Sequence, residues 1–284
     1  MIKRLCIVGV GLIGGSFAKG LKATGQVETI VGYGRREAAL QKAQALGVID
    51  TYGLTLAEAL KGADLVVIAT PVDSFEQVLT DIKPHLEDHT ILSDVGSTKG
   101  SVMRMVDRVF GEEFSRFVPA HPIAGKEKSG VEAADAQLFN NKRIILTPNT
   151  HTDPQAIELV SNLWQAIGAQ VESMSEQAHD DLLGMTSHLP HMLAFALMDY
   201  LIEKNPHACD YAAGGFKDFS RIASSDAVMW RDICLNNDQE IIKHIEGYKA
   251  ALDKLSSLIK THDDQALETL FKDAKSARDS WLDN

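Results

Sequence analysis

The first residues able to do chemistry together are Gly9-Val10-Gly11-Leu12-Ile13-Gly14. They follow an apolar run ending at Val8 and open a helical pattern that continues to Ala23, the strand–turn–helix setting that gives such glycines meaning. Gly9 permits a tight turn, Gly11 lets the backbone approach a pyrophosphate, and Gly14 lets helix and strand pack closely. The free amides of Leu12 and Ile13 and the positive helix end then face an anion. A glycine turn that serves packing alone is the alternative. About 20 residues on, where a carboxylate would hold a ribose 2′-hydroxyl, the chain has Gly34-Arg35-Arg36. Two guanidinium groups and no acid at this tip suit a 2′-phosphate, so NADP+ fits and NAD+ alone is not assured. The alternative is that both arginines are solvated surface charges.

In an open parallel sheet, ligands bind beyond the carboxyl ends of the strands. Three polar segments fall there: Thr70-Pro71, Asp94-Val95-Gly96-Ser97-Thr98-Lys99, and His121-Pro122-Ile123-Ala124-Gly125. A histidine at such an edge can take a proton from an alcohol as hydride leaves the same carbon; taken alone, it can equally be a turn residue. A fourth group, Ser187-His188-Leu189-Pro190-His191, lies at a proline break in a helical pattern. His188 and His191 could form a metal pair with Asp180 or Asp181, but neither carboxylate has convincing ligand spacing, and no metal is expected. His188 could also cap the broken helix.

These groups need a frame. Short β-branched runs at Arg4–Val8, Thr29–Tyr33, Leu65–Ala69, Ile91–Asp94, Phe117–Ala120, Arg143–Thr147 and Gln170–Ser173 alternate with amphipathic segments at Arg36–Ala45, Ser74–Ile82 and Pro154–Ile167. That alternation predicts an α/β fold with a doubly wound, mostly parallel Rossmann-type sheet. From Ser175 the pattern is helical: Ser175–Glu203 with Pro190 kinking or breaking it, Asp226–Asn236, Asp238–Lys260 and Asp263–Trp281. We therefore expect a dinucleotide-binding domain over 1–174 and an all-helical domain over 175–284. Ile241, Ile245, Tyr248, Leu252, Leu255 and Ile259 form one apolar helix face, for packing within the chain or against another subunit.

The 284 residues, 45% hydrophobic and 24% charged, can bury a large core without staples. Thirty-nine acidic against 28 basic side chains give a net charge of -11, which argues against nucleic acid or an anionic membrane as a main partner. Cys6, Cys209 and Cys234 are odd in number and far apart, as in reduced cytoplasmic proteins. No apolar stretch reaches the ~20 residues of a membrane span.

Taken in order, Gly9–Gly15, Asp94–Lys99, His121–Gly125, Ser187–His191 and Gly214-Gly215-Phe216-Lys217-Asp218-Phe219-Ser220-Arg221 closely resemble the prephenate and arogenate dehydrogenases, over roughly residues 4 to 260. The resemblance implies NAD(P)+-dependent oxidative decarboxylation in tyrosine biosynthesis, by a homodimer whose helical domain forms the dimer. It implies His121 on the substrate hydroxyl, Ser97 holding that hydroxyl and histidine, Arg221 on a substrate carboxylate, and His191 and His188 as further substrate contacts. Lys126 and Glu127 depart from the small polar residue often found in that loop, leaving the choice between prephenate and arogenate open. A β-hydroxyacid dehydrogenase is a second reading, but its helix usually carries a lysine where this chain has Ser187, His188 and His191. A non-catalytic NAD(P)-sensing dimer is a third.

Overall fold

The computed structural model describes residues 1–126 and 128–282; Glu127, considered above for substrate choice, lies outside the described residues. The expected frame is present. Strands β1 (Ile2–Val8), β2 (Val27–Tyr33), β3 (Thr51–Tyr52), β4 (Leu65–Ile68), β5 (Ile91–Asp94) and β6 (Phe117–Val118) form one sheet in the order β3-β2-β1-β4-β5-β6, all pairs parallel. The order reverses between β1 and β4, so a crevice opens beyond their carboxyl ends.

Period-two alternation explains why these runs are apolar throughout. On β1, Leu5 and Ile7 enter one core with Phe17, Leu21 and Trp164, whereas Cys6 and Val8 enter the other with Phe75, Leu79 and Val102. Both faces are therefore covered by helices. α1 (Leu12–Ala23) and α6 (Pro154–Ala166) contribute to the first core; α4 (Phe75–Ile82) and α5 (Gly100–Phe110) contribute to the second.

The expected strand Phe117–Ala120 is two strands in two sheets. β6 stops at Val118, and β7 (Ala120–Pro122) pairs antiparallel with β8 (Arg143–Leu146), which pairs parallel with β9 (Gln170–Ser173). Pro119 between them has no amide to donate to a ladder. The Ala120 N–H instead donates to Asp94 Oδ1 at 3.0 Å, and the Ala120 carbonyl accepts from Lys99 Nζ at 2.8 Å. This change of sheet brings His121 to the carboxyl edge of the parallel strands. Thr51–Tyr52, which pairs only two residues with β2, was not expected.

The break expected at Pro190 takes the form of a π turn. α7 (Glu176–Leu183) runs into π-helical Gly184–His188 and then α8 (Leu189–Lys204), with Pro190 in the first turn of α8. Pro190 brings no amide N–H to this junction and so interrupts the helical ladder immediately after the π turn. Next come α9 (Gly214–Ser220), a 3₁₀ turn at Arg221–Ser224, and α10 (Ala227–Asn236).

By internal contacts the chain divides into compact units 1–238 and 239–284. The second consists of nearly all of α11 (Asp238–Lys260) and of α12 (Asp264–Leu282). Tyr248, Leu252 and Ile259 of its expected apolar face are exposed. No helix among the described residues is long and apolar enough to cross a membrane.

Candidate active site

The glycine turn has the shape that an anion-binding loop requires. Gly9 has φ +100°, and a β-carbon on it would stand 2.7 Å from the Ala69 carbonyl oxygen at the end of β4. A β-carbon at Gly14 would meet the Gly9 oxygen at 2.7 Å. Gly11, by contrast, faces nothing within 4 Å. It precedes the first residue of α1 and supplies no side-chain cap, so the first amides of the helix remain available to a ligand. Thr70 and Pro71 follow β4 across the crevice, where Thr70 Oγ1 accepts from Ser74 Oγ. At the tip of β2, Arg35 and Arg36 are exposed and their guanidinium groups have no protein partner among the described residues; a β-carbon added at Gly34 beside them would meet only Leu40, at 3.7 Å. These residues fit a dinucleotide: a tight turn, an open backbone approach and cationic ends.

The histidine at the sheet edge is part of a hydrogen-bonded series. The Asp180 carboxylate accepts from the amides of Lys99 and Gly100 at the start of α5, each at 2.8 Å. Its Oδ1 lies 2.8 Å from His179 Nδ1, and His179 Nε2 lies 2.8 Å from His121 Nδ1. An ionised carboxylate only accepts, so His179 Nδ1 carries the proton and its Nε2 is a lone pair. His121 Nδ1 must then donate, which leaves the lone pair of His121 on Nε2.

Burial, then the neighbouring His179, Lys99 and His188, push the pKa of His121 well below the usual histidine value. Burial works against the charge of Asp180, but the hydrogen bonds from His179 and the two amides hold it below its ordinary range. The series is therefore carboxylate, neutral imidazole, neutral imidazole, and it ends in a proton acceptor.

Beneath it lies a fully buried ion pair, Lys99 with Asp94. Asp94 ties the turn after β5 to β7: its carboxylate accepts from Gly96 N–H and Ala120 N–H, while its partner Lys99 holds the Ala120 carbonyl. Ser97, in the turn between β5 and α5, is half-buried, and its hydroxyl has no protein partner among the described residues; the group on His121 Nδ1 is His179.

On the helical side, His191 stacks on Trp230 with ring centroids 3.8 Å apart, and His188 meets the same indole edge-on at 6.0 Å. His191 Nδ1 donates to the Ser187 carbonyl at 2.8 Å, one turn back along the chain. Burial lowers the pKa of His191 and the charge of Arg221 lowers it further, so the guanidinium is within electrostatic reach. Arg221 lines a cleft of about 400 Å³ with Phe195, Met198, Lys217, Ser220, Ala223 and Ser224.

Residues 17–173 match the family described as prephenate dehydrogenase, nucleotide-binding domain, and residues 175–273 match prephenate dehydrogenase, dimerization domain. A cyclohexadienyl dehydrogenase of Zymomonas mobilis is 34% identical over 98% of this chain and 96% of its own. The chain belongs to the prephenate dehydrogenase family. A prephenate dehydrogenase of Bacillus subtilis is 37% identical over 97% of this chain and 75% of its own. The crystal structure of Aquifex aeolicus prephenate dehydrogenase in complex with hydroxyphenyl propionate and NAD+ superposes with a TM-score of 0.93 at 40% identity, covering 98% of both chains.

Within this prephenate dehydrogenase fold, His179 is a residue that the sequence pattern does not single out, and Asp180 enters there only as a possible metal ligand; the structure joins both to His121. Their partners lie on β7 and at the start of α5, and nothing in the local pattern of α7 points to either. The neutral histidines have a measurable consequence. Burial is the leading cause of the lowered pKa of His121, His179, His188 and His191, and His188 falls to about 4. A histidine whose folded pKa lies below its unfolded value of about 6.5 contributes stability that is complete above that value and lost as pH falls through the folded one. Denaturant midpoints are expected to hold near neutrality and to fall between pH 6.5 and about 4, with His188 alone accounting for roughly 3 kcal/mol. A midpoint that stays constant over that window would contradict burial of neutral rings.

Proposed function

We propose that this chain oxidises and decarboxylates prephenate to 4-hydroxyphenylpyruvate in tyrosine biosynthesis, with arogenate to tyrosine as a second activity. The observation that carries the reading is the Asp180–His179–His121 series, which ends in an Nε2 lone pair just after β6, at the carboxyl edge of the parallel sheet. His121 is the catalytic base. It takes the proton of the ring hydroxyl as hydride leaves the same carbon, and a bound NAD(P)+ accepts that hydride. The dienone formed loses its ring carboxylate as carbon dioxide, and the electrons of that bond enter the ring to give a phenolate. The proton held on His121 returns to the phenolate oxygen, so the base is regenerated within each turnover. Aromatisation drives the second half, and the protein needs only to orient the alcohol, hold the carboxylates and exclude water.

Gly9, Gly11, Leu12, Ile13, Gly14, Thr70 and Pro71 would hold the dinucleotide. NAD+ is bound by the Aquifex aeolicus relative, and the unpaired Arg35 and Arg36 at the tip of β2 support NADP+ for this chain as well. Ser97 and His121 would hold the substrate hydroxyl, with His188, His191 and Arg221 around the remainder. Residues 1–174 then serve the cofactor, and 175–284 serve the substrate and the homodimer. The exposed Tyr248, Leu252 and Ile259 give an apolar surface for the second copy. The free thiols of Cys6, Cys209 and Cys234 fit a cytoplasmic setting.

The deciding experiment is a matrix of kcat/KM for prephenate and arogenate with NAD+ and NADP+, following reduced-cofactor absorbance together with carbon dioxide release. Cofactor binding without turnover of either substrate would favour a sensing role instead. In the active enzyme, Arg221→Ala is expected to raise KM about tenfold to a hundredfold, as loss of a hydrogen bond to a charged group does. An unchanged KM would make Arg221 structural.

A further inference from the structure

Asn237, the residue that ends α10, is buried and reaches two groups of the site at once. Its Nδ2 donates to the Asp180 carbonyl at 2.9 Å and lies 3.1 Å from His188 Nδ1. The first contact fixes the orientation of the amide, because a backbone carbonyl can only accept. The group facing His188 is therefore an N–H, and His188 Nδ1 must be the acceptor. The ring itself is 1% exposed. Burial, partly offset by the charge of Asp180, keeps it neutral near pH 7, so its one proton resides on Nε2. That nitrogen has no protein partner among the described residues.

We infer that Asn237 is a positioning residue that fixes His188 as the Nε2–H tautomer, a neutral hydrogen-bond donor to an oxygen of the bound substrate. The substrate half of this inference rests on the function proposed above; the tautomer half does not. The two histidines are thereby set in opposite senses. Asp180 organises both, its carboxylate making His121 an Nε2 acceptor through His179 and its carbonyl making His188 an Nε2 donor through Asn237. One residue of α7 thus assigns acceptor and donor roles to two rings in the same site, and a neutral donor binds a carboxylate or ketone oxygen without adding a charge that would oppose loss of carbon dioxide.

The test is nitrogen-15 NMR of histidine-labelled enzyme near pH 7, with His188 assigned by its substitution to glutamine. The expected spectrum for His188 is an unprotonated Nδ1 and a protonated Nε2, with Nε2 shifting when 4-hydroxyphenylpyruvate is added. In Asn237→Ala, Nδ1 is expected to gain proton occupancy as the tautomers mix. KM should rise about threefold to tenfold, the worth of one hydrogen bond, while the acid limb of kcat/KM set by His121 stays in place. A wild-type His188 protonated on Nδ1 would overturn the inference, and so would an Asn237→Ala enzyme with unchanged His188 tautomer and KM. The wild-type spectrum decides the tautomer even if Asn237→Ala does not fold. A wild-type enzyme that turned over neither prephenate nor arogenate would sink the proposed function and its substrate contact, while the spectrum would still judge the role of Asn237.

Discussion

His121→Asn is expected to lower kcat by about 10²–10⁴, the usual contribution of a positioned general base, and to leave the affinity for NAD(P)+ nearly intact. Asparagine is the informative choice. Its amide N–H can stand near the position of Nδ1 and keep the donation to His179 that the native ring makes at 2.8 Å, while the Nε2 lone pair is deleted. The change therefore removes the acceptor with little disturbance to the series behind it. Cofactor affinity should persist because the glycine turn belongs to β1 and α1, whereas His121 belongs to β7.

The wild-type pH profile gives a second readout. Since the ring's pKa is held well below the usual histidine value, kcat/KM should stay flat through pH 6.5 and fall only at lower pH, as protonation fills Nε2. That acid limb should vanish in the variant. A variant with wild-type kcat would remove His121 from the mechanism.

The parts of the site that could be read from the sequence are those whose physics is local. The turn after β1 needs glycine for a positive φ and for close packing against Ala69, and both requirements fall within six consecutive residues. The apolar runs of β1, β4 and β5 announce strands buried on both faces. The division of Phe117–Ala120 between two sheets was hidden, because it depends on Asp94 and Lys99 taking over the backbone of Ala120 from another strand. His179 and Asp180 were hidden for the same reason: their partners are His121 and the amides that begin α5, some 60 to 80 residues away along the chain. Pro190 did announce a break, but the π turn that absorbs it places His188 and His191 through contacts with Asn237 and Trp230 that no helical period encodes.

Lys99→Met should be the most destabilising single change at the site, by ~3–5 kcal/mol, the cost of leaving a buried partner charge uncompensated. Methionine keeps the length and apolar stem of lysine, so the loss isolates the ammonium. Burial opposes the Lys99 charge, and Asp94 and then Asp180 support it. Without it, Asp94 keeps the amides of Gly96 and Ala120 but loses the cation it is paired with, and the Ala120 carbonyl loses its Lys99 donor. Urea unfolding would measure the change, and Asp94→Asn combined with Lys99→Met should recover part of it, because the pair is then removed together. The same substitution should move the acid limb of kcat/KM upward: the Lys99 charge lowers the pKa of His121, and the uncovered Asp94 carboxylate would raise it. A folded Lys99→Met enzyme with wild-type stability and an unmoved acid limb would mean that this ion pair neither holds β7 in place nor tunes the base it carries.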